Sequence, residues 1–273
     1  MNLRCKYSAG YRIAVTGSTG YVGSKFLESF ETPDFVETDF TQLPAGSLIV
    51  HLAANMNNTS DALSENTLID TLVLEQVNEK HRGLIYASTN NVYPYALNCR
   101  TGDKLRCNDY YSASKVFGEK LFEDLLKVPF VSVRIADVFG VGQKHGNFFK
   151  AIEQGIRQKS SLAQYGAGLK RRTYIHITEL VQLLKWIATD GFDLAATTRV
   201  LNTGYPDSAS IAEIVALAAG ITGLEVINKH MENDLSAFDV RTMQPTILPG
   251  YAPQWNSFKS AFAGYVEEIN LQV

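Results

Sequence analysis

Short apolar runs near 12–16, 48–52, 83–88 and 129–135 alternate with longer segments, at 21–30, 62–79 and 111–127, in which apolar residues recur every three or four positions. The runs are too short for helices and read as buried strands; the periodic segments read as helices. Such alternation predicts a parallel sheet with helices on both faces. Farther on, Phe148 to Ile156 and Ser210 to Ala219 again have helical spacing. Between the first helix and His51 there is room for one short strand, at about 35–40. The expected organisation is a sheet domain of residues 1–145, to which 173–204 return, and a smaller region made of 146–172 and 205–273.

Composition narrows the function classes. With 273 residues, 45% of them hydrophobic, the chain can bury a full core, and a net charge of −3 gives no broad basic footprint for nucleic acid. No apolar run approaches the roughly 20 residues that span a bilayer, and Met1 to Gly10 has no apolar signal core, so a cytoplasmic protein is expected. Cys5, Cys99 and Cys107 are odd in number and widely placed, which points to reduced thiols, and no second ligand pair accompanies Cys99 and Cys107 to suggest a metal.

Two stretches carry chemistry. Tyr11-Arg-Ile-Ala-Val-Thr-Gly-Ser-Thr-Gly-Tyr-Val-Gly23 is an apolar run followed at once by three glycines and then by the helical pattern Phe26, Leu27, Phe30. In a strand-turn-helix of this kind Gly17 permits the turn, Gly20 admits a pyrophosphate close to backbone, and Gly23 lets the helix pack on the strand. The second stretch is Tyr111-Ser-Ala-Ser-Lys115. A tyrosine that titrates near pH ~10 is a poor base at neutral pH. A lysine four residues on lies on the same helix face, and its ammonium, joined by a cationic nicotinamide ring, stabilises the phenolate.

The Gly-x-x-Gly-x-x-Gly spacing resembles that of extended short-chain dehydrogenases/reductases, the NAD-dependent epimerase/dehydratase family acting on nucleotide sugars, and the likeness continues along the chain. Ile49-Val-His-Leu-Ala-Ala54 looks like the family's fourth strand, Asn66 to Glu75 like the next helix, and Leu84 to Pro94 like its Ser-Ser/Thr-x-x-Val-Tyr segment. Val131 to Gly142 is similar to the strand entering the substrate half, and Gly166 to His176 to the family's Gly-x-Gly-x-x-x-Arg-x-Phe-Ile-His. Leu201-Asn-Thr-Gly204 followed by Ser210-Ile-Ala-Glu213 closes the pattern. The resemblance implies an α/β fold: a Rossmann-like doubly wound parallel sheet, abridged after the first helix, with a smaller C-terminal substrate-binding region. It places the cofactor at Gly17, Thr19, Gly20, Tyr21, Val22, Gly23, Leu52, Ala53, Ala54, Tyr111 and Lys115. Asp39 and Phe40 fit the acidic-apolar turn beside adenine, while Glu37 is an alternative carboxylate for the ribose.

By the same resemblance Thr89, Tyr111 and Lys115 are the catalytic set: Thr89 binds the reacting oxygen, Tyr111 moves its proton, and Lys115 holds the ribose and depresses the tyrosine pKa. Related dehydratases carry an acid pair right after the hydroxyl residue, where this chain has Asn90 and Asn91. Amides exchange no protons at neutral pH, so ordinary 4,6-dehydration is not expected, and a 4-epimerase or 4-keto reductase remains. The rival is a non-catalytic NAD-binding or regulatory relative, favoured by the abridged half and by Asp137 where the family has asparagine. Substrate contacts fall to Thr89, Asn90, Asn91, Asp137, Arg172 as the diphosphate arginine, and Arg241 as a second phosphate candidate. His145 and His176 are more simply a polar loop histidine and a packing histidine at a strand end.

Phe117, Leu121 and Leu125 form an apolar packing stripe, and with Phe122 they offer more apolar surface than one face against the sheet requires. The helices at 62–79 and 111–127 resemble the pair with which such enzymes build a four-helix interface, so a homodimer is expected. From Phe26 through Glu79 there is no lysine or arginine, while Glu37 and Asp39 are acidic. A 2′-phosphate finds no cation there and is repelled, so NAD is expected over NADP. In a fluorescence or calorimetric titration NAD should therefore bind more tightly than NADP; equal or reversed affinities contradict the assignment.

Overall fold

A computed structural model describes residues 3–8, 11–30, 36–38, 43–143 and 148–271, the side chains of 3–8 and 36–38 excepted. In chain order the elements are β1 (Leu3–Ser8), β2 (Tyr11–Thr16), α1 (Tyr21–Glu28), β3 (Val36–Thr38), β4 (Ser47–His51), α2 (Ser60–Gln76), β5 (Gly83–Thr89), α3 (Tyr110–Leu125), β6 (Phe130–Ile135) and β7 (Asp137–Phe139). There follow α4 (Phe148–Arg157), β8 (Leu162–Tyr165), β9 (Arg171–Arg172), β10 (Tyr174–His176), α5 (Ile177–Trp186), α6 (Phe192–Thr198), β11 (Val200–Asn202), β12 (Ala209–Ser210), α7 (Ile211–Thr222), β13 (Val226–Lys229), β14 (Val240–Arg241) and α8 (Phe258–Leu271).

The main sheet has the order β11-β6-β5-β4-β2-β1-β3. Its first five strands are parallel, and β4 and β5 are buried along their whole length, as strands covered on both faces must be. One apolar cluster joins Ile13, Val15 and Val50 to Phe26 and Phe30 of the first helix and Leu180 and Leu184 of α5. Another, on the opposite face, joins Ala14, Ile49, Leu84 and Tyr86 to Val73 of α2 and Phe122 of α3. The sheet is therefore doubly wound, as expected. It is not wholly parallel: β1 runs antiparallel to both β2 and β3, with Leu3 opposite Thr16 on one side and Thr38 on the other. In the sheet an N-terminal strand fills the place beside β2, so the missing strand-helix segment leaves no gap. The alternation Leu3, Cys5, Tyr7 against Arg4, Lys6, Ser8 is the strand signature of this segment in the sequence.

A separate core gathers Phe139 with Phe149, Ile152, Tyr174, Ile214, Phe258, Phe262 and Tyr265 beneath α4, α7 and α8. The small ladders β12-β9-β14 and β13-β8 lie in this part of the chain. Here the expected packing stripe needs correction. Phe122 is buried between Tyr86 and Phe130, at ring distances of 5.1 and 5.9 Å, whereas Phe117 and Leu125 are exposed, as are Leu68 and Leu72 on α2. A helix has one face for its sheet, and Phe122 occupies it; Phe117 and Leu125 point elsewhere. Among the described residues no helix is long and apolar enough to cross a membrane.

His176 packs as the sequence suggests. It caps α5, its Nδ1 accepting from Thr178 N at 3.3 Å, and its ring lies 5.0–5.1 Å from those of Trp255 and Phe139. Burial pushes its pKa down to about 4. The unfolded chain takes up this proton near pH 6.5 and the folded chain does not, so stability present above about pH 6.5 is lost as pH falls toward about 4, by roughly 3 kcal/mol at most. In urea denaturation between pH 7 and 4, His176→Asn, which can still cap the helix, should flatten that slope. A variant with the wild-type slope removes His176 from the account.

Candidate active site

The site begins where β2 ends. Gly17 turns the chain at φ +71°, and a Cβ on it would stand 2.6 Å from Ala53 N, so the turn lies directly against Leu52 and Ala53 after β4. Gly23 is as constrained, since its Cβ would stand 2.1 Å from Gly17 O. Gly20 differs: the nearest atom to its Cβ would be Gly17 O at 3.2 Å, and Gly20 caps α1 with no side-chain hydrogen bond. A helix start left without a side-chain cap at an open glycine fits a pyrophosphate. Tyr21 donates to Val141 O at 3.1 Å, fastening α1 to the chain after β7. Thr19 is exposed, Val22 and Ala54 are half-buried, and Asp39 and Phe40 lie outside the described residues. The end of β3 lies at the same edge of the sheet as the glycine turn but with β1 between them, about 10 Å across two strand spacings.

Beneath the turn runs a buried polar chain. Ala53 N donates to Thr16 Oγ1 at 3.3 Å, Thr16 Oγ1 lies 2.5 Å from His51 Nδ1, His51 Nε2 lies 2.9 Å from Asp70 Oδ1, and Tyr86 Oη donates to Asp70 Oδ2 at 2.9 Å. A neutral imidazole protonated on Nε2 satisfies every partner: the threonine proton goes to Nδ1 and the ring proton to Asp70. Asn66, one helical turn before Asp70, accepts from Asn55 N at 2.7 Å and donates to Ser114 Oγ at 3.0 Å, joining α2 to α3. None of His51, Asn66 and Asp70 was picked out as a site residue from the sequence. The available signal was a pair of polar residues, Asn66 and Asp70, four apart on the face of α2 that also carries Val73.

Thr89 ends β5, and its Oγ1 accepts from Asn91 N at 3.2 Å. Tyr111 lies in the first turn of α3, whose start is fixed by a capping box of Asp109 and Ser112. Asn108 binds the two segments together, donating to Asn91 O at 3.0 Å and Tyr93 O at 2.8 Å. Burial pushes the Tyr111 pKa up, with Asp109 and Asp70 adding to it. Burial pushes Lys115 down, against the pull of Asp70 and Glu119, and its Nζ sits 4.6 Å above the Tyr86 ring. Among the described residues neither the Tyr111 hydroxyl nor the Lys115 ammonium makes a hydrogen bond, which leaves both groups available to a ligand.

Of the expected substrate contacts, the structure brings Asn90, Asn91, Asp137, Arg172 and Arg241 together. Asn90 Nδ2 donates to Asp137 Oδ1 at 2.9 Å, and Asp137 Oδ2 lies 3.8 Å from Arg172 Nε. Arg172 donates through Nη1 to Asp239 O at 2.7 Å and through Nη2 to the Asp239 carboxylate, which also takes Lys170 Nζ at 3.2 Å. Burial works against the Asp239 charge, but Arg172 and Lys170 outweigh it and hold the carboxyl below its usual range. Arg241, opposite Arg172 in the β14–β9 ladder, donates to Asn91 Oδ1 and lies 4.7 Å above the Tyr95 ring. It is 4% exposed, and its Nε is buried with no partner among the described residues. His145 lies outside the described residues, among which no cluster suited to a metal occurs.

A parallel sheet with a glycine turn at a helix start, and a Tyr-x-x-x-Lys helix beside it, defines a dinucleotide-dependent α/β protein. The profile of the NAD dependent epimerase/dehydratase family matches residues 37–204, more than half of the chain, and the chain belongs to that family. A search of curated proteins finds no match. Among solved structures, UDP-N-acetylglucosamine 4-epimerase from Bacillus cereus is similar over 96% of this chain and 96% of its own, at TM-score 0.76 and 19% identity. UDP-glucuronic acid 4-epimerase from Bacillus cereus, in complex with UDP-glucuronic acid and NAD, covers 96% and 99% at 0.74 and 18%. The dTDP-glucose 4,6-dehydratase of Bacillus anthracis, in complex with NAD, covers 95% and 96% at 0.72 and 18%. At such identities the likeness is one of fold. NAD is the cofactor of the family and of these complexes.

Proposed function

We propose that the chain is an NAD-dependent enzyme that moves hydride at a hydroxyl or ketone of a nucleotide-activated sugar, as a 4-epimerase or 4-keto reductase. The observation that carries this reading is the conjunction of the open glycine turn with Thr89, Tyr111 and Lys115 on neighbouring elements, locked in register by Asn108. Bound along the carboxyl edge of the sheet, NAD would supply a hydride acceptor, and in its reduced form a donor. Thr89 Oγ1 donates to the reacting sugar oxygen, and Tyr111 takes the proton from it during oxidation and returns it during reduction. Burial holds the tyrosine proton tightly, and the positive charge of an oxidised cofactor, added to that of Lys115, would lower that hold. Asn90 and Asn91 are engaged with Asp137 and Arg241 and carry no exchangeable proton at neutral pH, which disfavours dehydration. Arg172 and Arg241 receive the diphosphate, Arg172 by exchanging the Asp239 carboxylate for phosphate oxygens. That internal pairing of Arg172 is also what favours the second reading, a binding or regulatory relative without turnover.

The exposed Leu68, Leu72, Phe117 and Leu125 of α2 and α3 support a two-fold homodimer, with on the order of 1,600 Å² buried in total. Light scattering at micromolar concentration should give twice the 30.2 kDa chain mass; the mass of one chain, unmoved by NAD, rejects the dimer.

Tyr111→Phe should leave NAD binding nearly intact and lower turnover of a nucleotide sugar by about 10²- to 10⁴-fold. Unchanged turnover in steady-state assays would remove the tyrosine from the chemistry. Absence of turnover in wild type across UDP- and dTDP-sugars, with NAD bound, would favour the binding relative.

A further inference from the structure

Lys115 is 2% exposed, and an ammonium so enclosed needs a counter-charge within the protein. Two carboxylates act on it, Asp70 and Glu119. Glu119 is already committed, accepting from Arg134 Nε at 2.9 Å and Nη2 at 2.7 Å across α3 and β6. Among the described residues Asp70 is bonded to no such cation. Its partners are His51 Nε2 and the Tyr86 hydroxyl, and a neutral imidazole accounts for every contact His51 makes. Tyr86 is fully buried and stays protonated, because burial and the adjoining Asp70 both oppose its ionisation. The Tyr86 ring thus has the Lys115 ammonium 4.6 Å from its centroid while its hydroxyl is bonded to the carboxylate.

Gly118 gives an independent sign that α3 is shaped around this pair. It lies one turn after Lys115, and a Cβ there would stand 2.1 Å from Tyr86 Oη and 2.3 Å from Asp70 Oδ2. The helix can lie this close to the carboxylate only with glycine at that point. Tyr111, two turns back on the same face, is within the electrostatic reach of Asp70 as well.

We propose that Asp70 is a positioning residue: it is the buried counter-ion that keeps Lys115 an ammonium and, through Tyr86, fixes where that ammonium lies beside Tyr111. Its importance for function rests on the proposed role of Lys115 at the cofactor, but its effect on Lys115 is measurable without any ligand. Asp70→Asn removes the charge at nearly constant volume and retains groups able to bond His51 and Tyr86.

The full chain, labelled with ¹³C at lysine Cε and with Lys115 assigned through Lys115→Arg, is titrated by NMR. The Lys115 midpoint should fall by about one pH unit or more in Asp70→Asn and stay near wild type in Asp70→Glu. Tyr86→Phe, which keeps the ring and the charge but frees the carboxylate, should move it in the same direction by less. If Asp70→Asn does not fold, Tyr86→Phe alone decides. An unmoved midpoint in the folded variants overturns the proposal, as does an equal shift in Asp70→Glu and Asp70→Asn. NAD titrations then separate the two readings. Lys115→Ala should weaken NAD, and Asp70→Asn should weaken it about tenfold at pH 9 yet about twofold or less at pH 6. A shifted midpoint with NAD affinity indifferent to Lys115→Ala would uphold the counter-ion and sink the cofactor role of Lys115.

Discussion

Asp70 is a carboxylate with almost no contact with water, and three strands of the sheet, β2, β4 and β5, reach it within one or two hydrogen bonds. Thr16 of β2, His51 of β4 and Tyr86 of β5 form the path on the sheet side, with Asp70 itself on α2 and Gly118 of α3 pressed against it. A buried charge is costly unless its lone pairs are filled, so these five elements have little freedom to move apart. The glycine turn follows Thr16 directly, and Leu52 and Ala53 follow His51. The placement of the turn, and of the helix start beyond it, is thus coupled to the same carboxylate that holds the hydroxyl of Tyr86, over whose ring Lys115 lies.

The sheet edge beyond β2 shows a different solution to a common problem. A strand beside the glycine turn normally comes from the segment that follows the first helix, yet here the chain supplies it from its own start, antiparallel, and places β3 one position farther out. The exchange closes the hydrogen-bonding ladder of β2 without a crossover helix. It also changes what faces an adenosine group at that edge. The chain arriving beside Thr16 is the beginning of β1 and not the end of an acidic strand, and Glu37 lies in a strand separated from the turn by the whole width of β1.

The sheet strands and the helices on them were legible because period and length leave little choice: a run such as Ser47–His51, buried at every position, has no other stable arrangement, and α3 begins where Asp109 and Ser112 cap it. The first strand was not read, since six residues of mild alternation carry a weak signal and the pairing that stabilises them is distant in space. Local spacing encodes the glycine turn and the Tyr111/Lys115 pair, and resemblance to a family segment points to Thr89; the fold puts them on neighbouring elements. Asp70 and Asp239 could not. Each owes its state to a partner far along the chain, His51 and Tyr86 in one case and Arg172 in the other, and a single helix or loop carboxylate looks the same in sequence whether solvated or buried.

The charges around Arg172 and Arg241 follow from the same dependence on distant partners. Arg172 and Arg241 stand opposite each other in paired strands, both nearly buried, and two guanidinium groups so placed repel unless anions intervene. The chain supplies those anions unevenly. Asp239 and Asp137 both lie against Arg172, while Arg241 has an amide oxygen, an aromatic face and one buried N–H with no acceptor among the described residues. An incoming anion therefore meets two different cations. It completes Arg241 without displacing anything charged, whereas at Arg172 it competes with a carboxylate already in place. In the proposed reading that difference sets the affinity for a diphosphate, with Asp239 as the carboxylate to be displaced.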